Sequence, residues 1–543
     1  INPDHVIADG LTGKLDGRIE VICVQKSEVK AKGHGGGQGG GGGIGGTDGG
    51  NGGQGGGKTD DPPTHVDPPG GEQTFLMDFE QGIKVEEAIK SVIVKKIGNR
   101  KEWQDWAEDV AGICTDQVKA IKQVLSANDT PELKAQFEQF CRDLNKSMSQ
   151  HFDQDEIIEM LAQHIVIKPV LDELFRGFDF TKHNPIASAM TAMVQKLDAE
   201  GLAQTNKTLG AFYQSVEFRM QNVTTVQDRQ KVIVELFDRF FKVAFPKQQE
   251  KLGIVYTPIE VVDFINHSVN DILKREFGLS LGSPNVHILD PFTGTGTFLI
   301  RMMQCPELIA PTELERKYRG LMHGYVNAEG LQQLHNKAPA PHQEPNDGTS
   351  PSKKKCSELH GFEILPLAYY VASINIESVY HDLMHKSPEE YEPNQIMVLT
   401  DTFAESNVDA LLVDDELNRN NQLSASVRAL PFKVIIGNPP YSVGQTSAND
   451  DNQNEIYPEL EQRIAETYVE ASGKIANKNS LYDSYIKAFR WASDHLGDSG
   501  VIAFVSNAGW VETAAACGMR RCLQCEFSAV YVYHLKGNAR SAG

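Results

Sequence analysis

The sequence predicts an α/β domain with a largely parallel sheet, preceded by an all-helical domain. Up to about residue 250, apolar residues recur at three- and four-residue spacing, as in Ile233, Leu236 and Phe237. From residue 251 onward, short apolar runs alternate with helical stretches, and these runs occupy positions 286–289, 396–399, 434–436 and 501–505. This alternation is typical of parallel sheets, because a helix must return the chain between successive parallel strands.

The boundaries of these domains follow from composition. Residues 33–73 are dominated by glycine and then by proline, so we expect a flexible linker that cannot build a core. Residues 52–59 within it fit a phosphate-loop pattern, but no strand precedes them and Asp-Asp-Pro-Pro follows, so we interpret the match as chance. The apolar segment Ile19–Val24 lies in residues 1–32, which we expect to be the tail of a preceding domain.

The helical domain is expected to span residues 80–250, with breaks at Pro131 and Pro169. A helical segment between a linker and a catalytic domain usually acts as a spacer or a docking layer. The α/β domain is expected over 251–543, with a Pro- and Lys-containing insertion at 306–358.

Charge and cysteine content limit the functional classes. The net charge of −21 is a poor match to a protein that binds nucleic acid by itself. Either a basic cleft lies on an otherwise acidic surface, or the DNA-binding part lies outside this chain. Eight scattered cysteines, no secretory signal and no apolar run of about 18 residues predict a cytoplasmic protein without membrane contact. The single Cys522-x-x-Cys525 pair lacks a second pair, so we expect no metal site and interpret these residues, which have helical spacing, as buried thiols.

The first turn of the α/β domain has the pattern of a ligand site. A strand candidate ends in Asp290, and a turn containing Gly294 and Gly296 leads into an apolar helix start. Ligands bind at such a turn in doubly wound sheets, since glycines let the backbone approach the ligand closely. A dinucleotide-binding fold is the alternative, but it favours a third glycine where Leu299 stands.

Two more acids follow apolar runs. Glu363 ends the second strand candidate, where an acid can accept both ribose hydroxyls, although a solvated strand-end acid is the alternative. More than sixty positions separate it from Gly296, against roughly 20 in dinucleotide folds, and the insertion accounts for this distance. Asp401 follows the run 396–399 and either binds an amino group or caps the next helix.

The tetrapeptide Asn438-Pro439-Pro440-Tyr441 follows the apolar strand candidate 434–436. An exocyclic amine on an aromatic base is a poor nucleophile, because its lone pair is delocalised into the ring. The side-chain oxygen of Asn438 and the carbonyl of Pro439 can accept both N–H bonds, and consecutive prolines hold that carbonyl rigidly. Tyr441 offers an aromatic face on which a base flipped out of the duplex can stack.

These segments resemble the motifs of amino-methyltransferases that use S-adenosylmethionine. Asp-Pro-Phe-x-Gly-x-Gly resembles motif I, Gly-x-Glu-Ile motif II, Thr-Asp-Thr-Phe motif III, and Gly253–Pro258 motif X. Their order resembles the gamma class of DNA amino-methyltransferases and implies a Rossmann-like S-adenosylmethionine-dependent sheet. The resemblance assigns cofactor binding to Tyr256, Thr257, Pro258, Asp290, Pro291, Gly294, Gly296, Glu363, Ile364, Asp401 and Thr402.

The long helical segment and the stretch Phe527–Arg540 narrow the resemblance to type ISP restriction–modification enzymes. That resemblance implies that nuclease and helicase domains come first and that residues 80–250 form a coupler. It also implies a target-recognition domain starting near residue 543, and double-stranded DNA with a flipped adenine as substrate. We expect methylation at adenine N6, and from this chain alone weak activity or none, with little sequence preference.

Three alternatives remain at this stage. Asn-Pro-Pro-Tyr also occurs in enzymes that methylate cytosine N4, RNA bases or a glutamine amide in proteins. The helical domain and the insertion argue against the small RNA and protein enzymes, but they do not exclude cytosine. A non-catalytic modification subunit for assembly or DNA docking is the third alternative, although it would have no need of Asn438–Tyr441 or of Gly294 and Gly296.

Overall fold

The structure is a computed structural model, and it describes the strand at 20–26, most of a helical region between 100 and 202, and most of an α/β region between 257 and 534. The described ranges are 20–26, 100–127, 131–149, 152–174, 180–202, 213, 257–320, 357–404, 412, 414–440, 456–473 and 479–534. The expected linker at 33–73, including the phosphate-loop match, lies outside these residues, and so do Tyr256 and Tyr441.

One seven-stranded sheet organises the α/β region, with the strand order β4-β3-β2-β5-β6-β1-β7. In chain order the strands are β1 (Glu20–Lys26), β2 (Ile288–Asp290), β3 (Leu359–Glu363), β4 (Met397–Leu399), β5 (Phe432–Gly437), β6 (Leu496–Ser506) and β7 (Phe527–His534). The four apolar runs expected as strands coincide with β2, β4, β5 and β6, so these predictions are confirmed.

The five strands from β4 to β6 pair in parallel, as the alternating pattern predicted. From β2 the chain moves outward to β3 and β4, and then returns to the other side of β2 with β5 and β6. The crossover direction therefore reverses between β2 and β5, which is the switch point where open α/β sheets form a crevice for ligands.

The strand β1 pairs antiparallel with both β6 and β7. We expected residues 1–32 to be the tail of a preceding domain, whereas the structure places their strand inside this sheet. The difference has a physical reason: alternating apolar residues predict a strand, but backbone hydrogen bonding does not specify which sheet the strand joins.

Helices between residues 100 and 202 agree with the predicted helical region, whereas residues 80–99 and, apart from Tyr213, 203–250 lie outside the described residues. The helices are α1 (Arg100–Ser126), α2 (Pro131–Met148), α3 (Gln154–Leu174), α4 (Phe180–His183) and α5 (Pro185–Ala199). Pro131 starts a helix, as expected of a break, but Pro169 lies inside α3, so the break expected there is wrong. The apolar residues around Pro169 are buried, and this packing outweighs the lost backbone hydrogen bond.

The α/β region contains ten further α-helices among its described residues. They are α6 (Ile259–Ile272), α7 (Thr297–Gln304), α8 (Pro311–Arg319), α9 (Pro366–Leu383), α10 (Asp415–Arg428), α11 (Pro458–Ile464), α12 (Glu470–Ser472), α13 (Ser484–His495), α14 (Gly509–Glu512) and α15 (Cys517–Glu526). Helix α8 lies within the expected insertion, and its Lys317 is fully buried against Glu358, with 2.8 Å between the ammonium and the carboxylate.

Both faces of the sheet are covered, because successive strand residues enter different cores. Ile288 packs with the helical region and α6, α7 and α9, whereas the next residue, Leu289, packs with α11, α13 and α15. Burial on both faces explains why the segments 288–289, 397–399 and 434–436 are apolar at every position. Within the described part of the chain, no helix has the length and apolarity needed to cross a membrane.

Candidate active site at the carboxyl ends of four strands

Four polar side chains lie where adjacent parallel strands end. Asp290 is the last residue of β2 and Glu363 the last residue of β3, while Asp401 follows β4 and Asn438 follows β5. The pairing places β4, β3, β2 and β5 side by side and in parallel, so these four ends share one edge. Three of the four residues are almost fully buried, with exposed fractions of 0% for Asp290, 9% for Glu363 and 3% for Asp401.

Asp290 lies deepest in this edge. Its Oδ1 accepts a hydrogen bond from the backbone N–H of Phe292 at 3.1 Å, while its Oδ2 is buried and has no hydrogen-bond partner. Burial raises the pKa of Asp290 to about 8, and nearby Glu363 adds to the increase, although the Phe292 N–H opposes it. Gly437 ends β5 beside this carboxyl, and a Cβ there would lie 2.6 Å from Oδ1.

The glycine turn after β2 is open to a ligand. Gly294 and Gly296 have φ angles of 56° and 87°, a left-handed conformation that favours glycine. A Cβ on Gly294 would meet nothing within 4 Å, whereas one on Gly296 would lie 3.5 Å from the backbone of Ala372 in α9. Gly294 therefore faces free space, while Gly296 lets helices α7 and α9 approach each other.

Glu363 binds this turn directly. Its Oε2 accepts the Gly294 N–H at 2.8 Å, and its Oε1 accepts the N–H groups of Ile364 and Leu365 at 3.0 and 2.9 Å. Burial raises the pKa of Glu363 to about 7, although these three N–H groups favour the ionised form. Motifs I and II are therefore joined by a hydrogen bond across the insertion that separates them in the sequence.

Asp401 is held on both carboxylate oxygens. Oδ1 accepts the Phe403 N–H at 2.9 Å, and Oδ2 accepts the hydroxyl of Tyr457 at 2.8 Å. Among the described residues, the next helix after Asp401 is α10, and Asp414 caps it by accepting the N–H groups of Glu416 and Leu417. The neighbouring Thr402 hydroxyl donates to the carbonyl of Pro291, which connects this loop to the glycine turn.

Asn438 meets the segment that precedes motif I. Its Nδ2 donates to the hydroxyl of Thr257 at 3.0 Å, although 181 positions separate the two residues. Pro258 lies immediately before α6 and its carbonyl accepts the N–H groups of Val261 and Val262, so it starts the helix as expected. Pro439 is buried and Pro440 is half-buried beside Asn438.

Two residues that bind the Asp401 loop were not predicted from the sequence. The hydroxyl of Tyr457 contacts the carboxylate itself, and Arg428 donates to the carbonyls of Asp401 and Thr402. A lone tyrosine before a proline and a lone arginine at a helix end have no pattern that indicates such a role. Of the expected site residues, Tyr256 and Tyr441 lie outside the described residues, so their roles stay predictions.

Comparison with known proteins identifies the helical region. Residues 102–228 match the family model of the type ISP restriction–modification enzyme coupler domain. Residues 102–228 are therefore similar to the coupler domain of type ISP enzymes. The expected resemblance of the chain to the type ISP enzymes is confirmed. No curated protein sequence matches the chain.

Three solved structures extend the similarity to the α/β region. A nuclease-deletion mutant of the type ISP enzyme LlaGI, in complex with a DNA substrate mimic, is 38% identical over 81% of this chain, with a TM-score of 0.66. The ATP-dependent type ISP enzyme LlaBIII bound to DNA is 37% identical over 83% of this chain, with a TM-score of 0.65. A DrdV–DNA complex is 27% identical over 79% of this chain, also with a TM-score of 0.65.

This chain corresponds to only part of those proteins. It covers 32% of the LlaGI chain, 28% of the LlaBIII chain and 37% of the DrdV chain.

Proposed function

We propose that the α/β region is a DNA methyltransferase of a type ISP restriction–modification system, which transfers a methyl group from S-adenosylmethionine to N6 of adenine. The observation that carries the proposal is the meeting of Asp290, Glu363, Asp401 and Asn438 at four adjacent strand ends. Each of these residues has a chemical task that the transfer requires, and all four come from separate motifs of the gamma-class pattern.

The residues at the strand ends fit S-adenosylmethionine. The buried, unpartnered Oδ2 of Asp290 matches the cofactor's ammonium group, because a buried acceptor without a partner is costly until a donor reaches it. Glu363 lies beside the open face of Gly294, where a carboxylate can accept ribose hydroxyls. Asp401 can accept the amino group of the cofactor's adenine, with Thr257 and Pro258 closing the methionine end.

The catalytic group in this proposal is Asn438. When bound, S-adenosylmethionine supplies an electrophilic methyl group on a positively charged sulfur. Asn438 Oδ1 and the Pro439 carbonyl accept the two N–H bonds of the target amine, and so free its lone pair for attack. The hydrogen bond from Nδ2 to Thr257 orients the amide and directs Oδ1 away from Thr257, which limits reorganisation during the reaction.

The DNA substrate is proposed from the relatives and the motifs together. LlaGI, LlaBIII and DrdV were solved with DNA or a DNA mimic. In this proposal the flipped adenine stacks on Tyr441. The α/β region acts in the cytoplasm as part of a multidomain enzyme that also has nuclease, helicase and target-recognition domains. Cytosine N4 is the competing target, because the same acceptors would serve its amino group.

A methyl-transfer assay tests this function. The chain is incubated with methyl-labelled S-adenosylmethionine and mixed-sequence duplex DNA, beside Asn438→Ala as the inactive variant. We expect label in the DNA with the wild-type chain and none above background with Asn438→Ala. Equal incorporation by both proteins would contradict the proposed role of Asn438 and with it the proposed transfer.

A further inference from the structure

The last turn of coupler helix α2 contacts the edge of the sheet where β4, β3, β2 and β5 end. Met148 is the final residue of α2, and its carbonyl accepts the backbone N–H of Asp401 at 2.9 Å. A carbonyl at a helix C-terminus has no partner within its helix, so it is free to bind another element. Ser149 follows with a φ of 54°, which turns the chain away directly after this contact.

A second, side-chain contact lies one residue earlier on the same helix. Ser147 is 1% exposed; its hydroxyl accepts a hydrogen bond from Asn420 Nδ2 at 3.0 Å and donates to the Leu417 carbonyl at 3.1 Å. Asn420 and Leu417 both belong to α10. The coupler helix is thereby hydrogen-bonded to α10, although 273 positions separate Ser147 from Asn420.

Asn420 carries this connection to the strand that ends at Asp401. Its Nδ2 also donates to the Leu399 carbonyl at 2.8 Å, and its Oδ1 accepts the Leu399 N–H at 3.0 Å. Strand β4 is at the edge of the sheet, so Asn420 supplies the two hydrogen bonds that a neighbouring strand would otherwise make. Leu399 is therefore held from the side by a residue that Ser147 orients.

These contacts fix the backbone on each side of the Asp401 carboxylate. Met148 binds the Asp401 N–H, Asn420 binds both backbone groups of Leu399, and Arg428 binds the Asp401 carbonyl. All three hydrogen-bond partners lie on α2 or α10. A displacement of α2 relative to the sheet would consequently move the acid or break its backbone hydrogen bond.

We propose that the C-terminal turn of the coupler helix α2, through Ser147 and Met148, positions Asp401 and so sets the site's affinity for the adenine part of the cofactor. This inference rests on the proposed function, because it takes Asp401 as the acceptor of the adenine amino group. By reciprocity, cofactor binding stabilises the contact between α2 and the sheet to the same extent. Ser147 and Met148 act as positioning residues and do not touch the reacting groups.

The test compares two ligands that differ at the adenine amino group. S-adenosylhomocysteine carries that amino group, whereas S-inosylhomocysteine has a carbonyl in its place and cannot donate to Asp401. Calorimetry on the 543-residue chain should show that the wild type prefers the adenosyl ligand by about tenfold or more, because the inosyl ligand leaves a buried acceptor facing another acceptor. Ser147→Ala should reduce this preference to about twofold to threefold, on the same principle.

Two control variants separate positioning from general destabilisation. Ser147→Thr keeps the hydroxyl and should restore most of the preference for the adenosyl ligand. Thr191→Val removes a comparable hydrogen bond to His164 inside the helical region, at 3.0 Å from its Nε2, and should leave the preference unchanged. Preference lost equally in Ser147→Ala and Thr191→Val would show a nonspecific loss of stability and would overturn the inference.

A measurement on the wild type covers the case that Ser147→Ala does not fold. S-adenosylhomocysteine should slow hydrogen exchange in peptides from 131–148, while peptides from α1 exchange at the same rate with and without ligand. Unchanged exchange in 131–148 despite ligand binding would refute the inference and leave the proposed function intact. A wild-type chain that binds neither ligand would instead refute the proposed function, and the inference with it.

Discussion

The buried carboxyl of Asp290 makes cofactor binding dependent on pH. Its pKa is raised from 3.8 to about 8, mainly by burial. This increase in pKa corresponds to roughly 5–6 kcal/mol against the ionised form in the ligand-free protein. The carboxylate becomes favourable only when a cation approaches Oδ2, and the cofactor's ammonium group is that cation in our proposal.

The magnitude follows from the ionised fraction. With a pKa of about 8, roughly 0.3% of the protein carries an Asp290 carboxylate at pH 5.5 and about 10% at pH 7. Affinity for S-adenosylhomocysteine should therefore rise about tenfold per pH unit across this interval from Asp290 alone. The ligand's amine is protonated throughout this range, so its own titration adds little. Glu363, with a pKa raised to about 7, contributes a second and smaller increase.

The assay is titration calorimetry with S-adenosylhomocysteine from pH 5.5 to 7, on the wild type and on Asp290→Asn. The asparagine variant should bind S-adenosylhomocysteine more weakly at pH 7. Its plot of log Kd against pH should be less steep than that of the wild type by close to one logarithmic unit per pH unit. The slope that remains in Asp290→Asn belongs to Glu363, and Glu363→Gln should reduce it. Identical slopes in the wild type and in Asp290→Asn would refute the assignment of Asp290 as the partner of the ammonium group.

The same pKa shift affects the stability of the ligand-free protein. Between pH 4 and 8 the unfolded chain ionises Asp290 while the folded chain keeps it protonated, so stability falls as the pH rises through this window and is constant above it. Asp290→Asn should flatten this part of the curve. Urea unfolding at several pH values, followed by circular dichroism, measures the difference.

Three further results are expected. Asn438→Ala should lower the methyl-transfer rate by about 10²- to 10³-fold, by analogy with the loss of one oxyanion-hole donor. Its affinity for S-adenosylhomocysteine, measured by calorimetry, should stay within a few-fold of the wild-type value. A wild-type rate would contradict the role of Asn438. Gly437→Ala places a Cβ 2.6 Å from Asp290 Oδ1 and should destabilise the protein by about 1–3 kcal/mol. The control Gly112→Ala places its Cβ where no atom lies within 4 Å and should not destabilise the protein. Equal decreases in Tm for the two variants would contradict this packing argument. Binding to mixed-sequence duplex DNA should weaken steeply as salt increases, because phosphate contacts dominate it; salt-resistant binding in gel-shift assays would show base-specific recognition by this chain.

The parts of the fold that follow a local rule were predictable from the sequence. Apolar runs at 286–289 and 434–436 predicted β2 and β5, because strands buried on both faces need apolar residues at nearly every position. The acids and the asparagine after those runs indicated the site, since parallel strands bring their carboxyl ends to one edge. Gly294 and Gly296, between β2 and an apolar helix start, likewise indicated the turn directly before α7.

Contacts between distant segments could not be predicted in this way. The Met148 carbonyl that binds Asp401 is a backbone group, which every residue possesses, so no side-chain pattern indicates it. The pairing of β1 with this sheet was not predicted, because it too depends on backbone hydrogen bonds. The break expected at Pro169 was wrong because the prediction took no account of the packing that stabilises α3. Sequence periodicity gives the elements, whereas their hydrogen-bond partners depend on the tertiary arrangement.

The central claim is that these strand ends methylate the amino group of adenine, and identification of the methylated nucleoside tests it most directly. Duplex DNA is incubated with excess chain and methyl-labelled S-adenosylmethionine, digested to nucleosides and separated by chromatography with mass detection. We predict labelled N6-methyldeoxyadenosine with the wild-type chain and none with Asn438→Ala. Label found only in N4-methyldeoxycytidine would contradict the adenine assignment, and equal label with the wild type and with Asn438→Ala would contradict the claim that these strand ends carry out the methylation.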